Sequence, residues 1–171
     1  MNSRPELNAD FASLPSDPKA RHEVLVDFFG QHLFWCRAHA LDTARRAIAS
    51  AELRDTLGRI PGEPYSRVSA LPESAQNAAL DLAQACVDDF MRLLLALLTG
   101  TGTDNRLGES HAIHYKLLME LVAADDSECV VHEELINRDG RRPFLEYFGR
   151  WLSRFHTRAD VGYPIPDVDA L

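Results

Sequence analysis

A chain of 171 residues, 46% of them apolar, is sized for one domain and can bury a core without a disulfide or a metal staple. Its net charge of −8 disfavours nonspecific nucleic-acid binding and makes a basic partner easier to attract than an acidic one. Its three cysteines, Cys36, Cys86 and Cys129, are odd in number and far apart, which argues for reduced thiols and a cytoplasmic protein rather than a disulfide framework.

Residues 1–16 are polar, carry Pro5 and Pro15, and are expected to be loosely ordered. Residues 1–10 hold no apolar run, so no signal peptide is expected. Asp17 followed by Pro18 reads as a helix start, a carboxylate cap and then proline in the first turn. The helix should continue to Gly58, bent or split at Gly30, where glycine costs about 1 kcal/mol relative to alanine. Leu25, Phe28, Phe29, Leu33, Cys36, Ala40, Ala44, Ala47 and Ile48 would form its apolar face. Pro61, Gly62 and Pro64 mark 58–71 as a loop.

The stretch 72–99 carries two apolar rows at helical spacing. One is Leu82, Cys86, Phe90, Leu93 and Leu97; the other is Val87, Met91, Leu94 and Leu98. Over 90–98 the rows merge, with only Arg92 between them, which predicts a helix buried nearly all round at the centre of the core. Its solidly apolar part is too short for a bilayer, which needs about 20 residues. Gly100 suits the left-handed cap position, and 99–108 reads as a flexible connection.

Next, Ile113, Tyr115, Leu117, Met119 and Leu121 alternate with polar residues. That period of two predicts a β-hairpin pairing 112–122 with 129–136; a helical reading leaves Tyr115 and Met119 off the apolar face. Asp139-Gly140 is a turn. Pro143 opens a last helix whose Phe144, Tyr147, Phe148, Trp151, Leu152 and Phe155 share one face. Residues 157–171 read as an irregular acidic tail. The expected fold is mainly α (α+β) over a single domain at 17–156, with an all-α bundle as the alternative.

Candidate chemistry is sparse. His32, Cys36 and His39 project from one side of the first helix and are plausible zinc or iron ligands. The same spacing also suits a core cysteine flanked by two histidines, the commoner use of such residues. Gly100 and Gly102 follow a helix, whereas a phosphate loop follows a strand and opens a helix. Cys129 and His132 would share a face only if helical. Asp88-Asp89 and Asp125-Asp126 suit a solvated face and a turn better than an acid–base pair. No GxSxG, HExxH, CxxC or kinase signature is present.

The arginines are unevenly placed. Between 137 and 158 stand Arg138, Arg141, Arg142, Arg150, Arg154 and Arg158 against Asp139 and Glu146, a local balance of +4 that leaves −12 elsewhere. Arginine beside aromatics is typical of binding hot spots, so Arg142, Arg150 and Arg154 are the candidate partner-binding residues. Ordinary helix solvation accounts for the same pattern. The function expected is a non-catalytic protein-binding domain of inhibitor, immunity-protein or adaptor type. Its partner is expected to be a protein with a basic surface, such as a nuclease-type toxin. No cofactor, direct nucleic-acid contact or membrane contact is expected, and the sequence carries no signal of oligomeric state. The alternative is a metal-dependent helical enzyme using His32, Cys36 and His39.

Overall fold

The fold is mainly helical with a small antiparallel hairpin and a closing C-terminal helix. The structure is a computed structural model and describes residues 15–57, 62–100, 106–107, 111–123, 125, 128–137 and 143–155 (backbone alone at 62, 63, 106, 107 and 112). Of the expected segments, most of 1–16, all of 157–171 and the 139–140 turn lie outside these residues.

Helix α1 spans Pro18–Ala49. Asp17 caps it by accepting from the Ala20 amide at 2.7 Å, and Pro18 occupies the first turn without losing a needed donor. The helix is not split at Gly30, and this glycine serves a contact. It is buried beneath Trp151, and a Cβ there would meet the indole Nε1 at 2.5 Å. Of the expected face, Leu25, Ala47 and Ile48 are buried, but His22, Val26, Gly30, Phe34, Arg37 and Leu41 are buried as well, and Cys36 and Ala40 are exposed.

The helix also stops short of Gly58. Ser50 turns extended, at φ −117° and ψ 122°, and its hydroxyl accepts from the Leu53 amide at 3.2 Å to cap α2, Ala51–Thr56. Arg54 reaches back to the carbonyls of Ala47 and Ile48, the open end of α1. The loop expected over 58–71 contains instead a helix, α3, Gly62–Ser69. Pro64 falls in its first turn, where proline is tolerated.

Helix α4 spans Glu73–Thr99 and ends on Gly100 in the left-handed conformation (φ 70°), whose amide donates to Ala96 and Leu97. The expectation that α4 is buried nearly all round is wrong. Its buried residues are Met91, Leu95 and Ala96, while Leu82, Phe90 and Leu93 are 65%, 65% and 60% exposed. Helices α1, α3 and α5 pack against it.

The hairpin forms, but its strands are shorter than expected: β3, Leu118–Val122, pairs antiparallel with β4, Val130–Leu135. The register sets Leu118 opposite Leu135 and Leu121 opposite His132, with an irregularity before Val122. The alternation from Ile113 extends no ladder, and Ile113 and Tyr115 are exposed. Two residues of the expected flexible connection form β1, Arg106–Leu107, paired with β2, His111–Ala112.

Helix α5, Phe144–Phe155, closes the core. Phe144, Tyr147, Trp151 and Phe155 are buried, and Phe148 and Leu152 pack beside them. Burying each of the four is worth about 1.5–3 kcal/mol. Phe29 stacks on Phe144 with centroids 5.3 Å apart, and Phe34 lies between Phe148 and Phe155. Leu95, Leu121 and Ile136 complete the cluster from α4 and the hairpin.

Candidate interaction surface

On α4, Leu82, Cys86, Phe90, Leu93 and Leu97 fall within an arc of about 80°, opposite Met91 and Leu95. The stripe is about 22 Å long at 1.5 Å rise per residue. Cys86 is exposed with it, and Leu97 is half-buried at its end. Among the described residues nothing covers Leu82, Phe90 or Leu93. Asp89 and Arg92 edge the stripe and pair with each other at 2.8 Å. A contiguous exposed apolar row with a charged margin is the usual form of a protein-binding helix face. Periodicity identified both rows of α4; which row faces the core depends on α1 and α5, and no local signal carries that.

The expected partner-binding arginines lie elsewhere. Arg142 is outside the described residues. Arg150 and Arg154 are brought together, one turn apart on α5, against two acids one turn apart on α1. Arg150 bonds Glu23 at 3.1 Å and also Asp27, and Arg154 bonds Asp27 at 3.1 Å. Tyr147 donates its hydroxyl to Glu23 at 2.6 Å, and the Trp151 indole donates to Asp27 at 3.0 Å. The Arg150 guanidinium also lies 4.5 Å from the Tyr147 ring centre. Burial alone would lower the pKa of Arg150, but the hydrogen bonds and charges of Glu23 and Asp27 outweigh it and raise the value. These arginines fasten α5 to α1. The matching four-residue spacings, Glu23/Asp27 and Arg150/Arg154, were the signal in the sequence.

His32, Cys36 and His39 do not form a metal centre. His32 contacts the Phe28 carbonyl through Nδ1 at 3.2 Å, His39 stacks flat against Trp35, and Cys36 faces outward. Among the described residues no group of three or more His, Cys, Asp or Glu could hold a metal ion. Among the described residues the ligand set named for the metal-enzyme alternative is not gathered. Cys36 and Cys86, placed by their spacing in apolar helix rows, are exposed, as is Cys129. Asp88 and Asp89 diverge, as adjacent helical residues must: Asp88 pairs with the buried Arg37 of α1, and Asp89 with Arg92.

Two polar features had no sequence signal. His22, 1% exposed on α1, holds Glu134 of β4 at 2.7 Å, and His132 and Arg21 approach the same carboxylate at 3.3 and 3.8 Å. Burial pushes the Glu134 carboxyl up, but the hydrogen bonds from His22 and His132 and the nearby charges outweigh it and hold the pKa below the usual value. Asn137 donates to the carbonyls of Leu98 and Tyr115 and accepts from the Leu117 amide at 2.6 Å. It lines an open cavity of about 240 Å³ whose wall includes Leu98, His114 and Lys116.

No family model matches the chain, and no solved structure matches it. Over 72 residues it is 43% identical to Nonribosomal peptide synthetase 1 of Aspergillus fumigatus. That stretch is 40% of this chain and 1% of the length of that protein.

Proposed function

We propose that this chain is a non-catalytic protein-binding domain of inhibitor, immunity-protein or adaptor type, and that the stripe on α4 is its binding face. The exposure of Leu82, Phe90 and Leu93 on a helix whose other side is core is the observation that supports this reading. Three large apolar side chains in one row are costly to leave in water unless a partner covers them. The net charge of −8 favours a partner that is basic where it is touched, as a nuclease-type toxin would be. The three exposed thiols suit a reducing, cytoplasmic setting. Among the described residues no helix is long and apolar enough to cross a membrane.

The test is affinity capture with the wild-type chain beside a Leu82→Ser/Phe90→Ser/Leu93→Ser variant whose helical circular dichroism is unchanged. A protein retained by the first and lost by the second is then purified and titrated against both. Association with a basic partner should slow as ionic strength rises toward about 0.15 M, where the Debye length is roughly 8 Å. Equal binding to the variant would place the interface elsewhere.

A further inference from the structure

We infer that the stripe on α4 is occupied in the free protein by a second copy of this chain, packed antiparallel about Phe90. This rests on the reading that the stripe is a protein-binding face, and it names the first occupant. The stripe is close to palindromic. Its successive spacings are four, four, three and four residues, which read almost the same in either direction. Turned end for end about Phe90, Leu82 lies over Leu97 of the second copy, Cys86 over its Leu93, and Phe90 over its Phe90. Such a match is what an isologous two-fold interface requires, since one patch must complement itself.

The charged margin fits the same arrangement. Asp89 and Arg92 lie on one edge of the stripe, 66% and 57% exposed. The two-fold operation sets Arg92 of each copy within a turn of Asp89 of the other, so the edge charges neutralise across the interface. Antiparallel packing also opposes the two helix dipoles. A wholly basic partner would leave Arg92 facing like charge, whereas a second copy brings Asp89 within its reach.

Each copy carries −8, so two copies repel at long range. Added salt screens that repulsion and should tighten the dimer, the reverse of its effect on a basic partner. The dimer would mask the stripe until another protein displaces one copy.

The experiment combines sedimentation equilibrium with thiol chemistry in a chain carrying Cys36→Ser and Cys129→Ser. Expected is a dimer over roughly a hundredfold concentration range around micromolar, tighter at higher salt and lost in Phe90→Glu. Adding Leu93→Cys should give a covalent dimer on mild oxidation, through Cys86 of one copy and position 93 of the other. The parent with Cys86 alone should not, because the two Cys86 sites stand about 11 Å apart along the helix axes. A parent that cross-links as readily through Cys86 alone would overturn the antiparallel register. A monomer at every concentration with Cys86 open to maleimide would overturn self-association and leave the binding face standing. A monomer with Cys86 protected would overturn both, since the chain's own residues would then cover the stripe.

Discussion

Replacing Gly30 by alanine tests the close approach of α1 to Trp151. In an open helix the change is favourable by about 0.8–1 kcal/mol, because alanine loses less backbone entropy. Here the added Cβ would lie 2.5 Å from Trp151 Nε1 and closer still to two ring carbons, well inside the 3.5–4.0 Å at which carbon atoms rest. The indole has nowhere to retreat. It is fully buried among Phe29, Phe144 and Tyr147, and its N–H is held by Asp27 at 3.0 Å. Overpacking of this kind costs about 1–3 kcal/mol, and loosening a hydrogen bond to a carboxylate adds roughly 1.5–3 kcal/mol. After the helical gain, Gly30→Ala should destabilise by about 2 kcal/mol or more. Gly149 is the control: it is helical and exposed, and a Cβ there meets nothing within 4 Å, so Gly149→Ala should stabilise by roughly 0.5–1 kcal/mol. Urea unfolding followed by circular dichroism and tryptophan fluorescence reads both. A Gly30→Ala/Trp151→Phe double mutant should recover part of the loss, with a coupling of about 0.5 kcal/mol or more. Equal stabilisation by the two alanines would refute the close approach.

Leu95→Ala should cost about 2–5 kcal/mol, while Leu82→Ala on the same helix should stay within about 0.5 kcal/mol at concentrations where the chain is monomeric; equal losses in denaturant midpoint would mean that the stripe is covered. Trp151→Ala should cost about 3–5 kcal/mol and Phe148→Ala less, since Phe148 is only partly buried; midpoints unchanged from wild type would place the aromatic face in solvent. Because the Glu134 pKa is lowered in the fold, its ionised form stabilises the protein fully above the ordinary value of 4.5, and that stabilisation is lost as pH falls through the depressed value. The advantage of wild type over Glu134→Gln in thermal unfolding should therefore shrink below pH 4.5; a gap that persists unchanged into acid would show that the charge is not what matters.

Signals repeated within one element were legible. The aromatic row of α5 and the Asp17-Pro18 and Gly100 ends announced themselves through spacing and capping chemistry. What depended on distant residues was hidden. Gly30 looked like a weak point because its partner, Trp151, lies far along the chain. The ion pairs of Arg150 and Arg154 with Glu23 and Asp27 join residues more than a hundred positions apart. On α4 the pattern marked two apolar rows, and tertiary packing selected Met91 and Leu95 for the core while leaving Leu82, Phe90 and Leu93 outside. Helix α3 was obscured by Pro61, Gly62 and Pro64, which read as breakers although the helix begins at Gly62.

The attachment of the β3–β4 hairpin has a kinetic consequence. Leu121 and Ile136 anchor it in the core with Leu117 and Met119 packed beside them, and polar clasps hold it as well: Glu134 to His22 on α1, and Asn137 to the Leu98 carbonyl on α4. Its outer residues Leu118, Val130 and Val131 are 44%, 48% and 59% exposed. A unit with one face in solvent should open at a lower free energy than the helices around Trp151. Its amide protons should therefore exchange with solvent as a group, ahead of those of α1 and α5. Acid that protonates Glu134 should speed that opening before the helical layer responds.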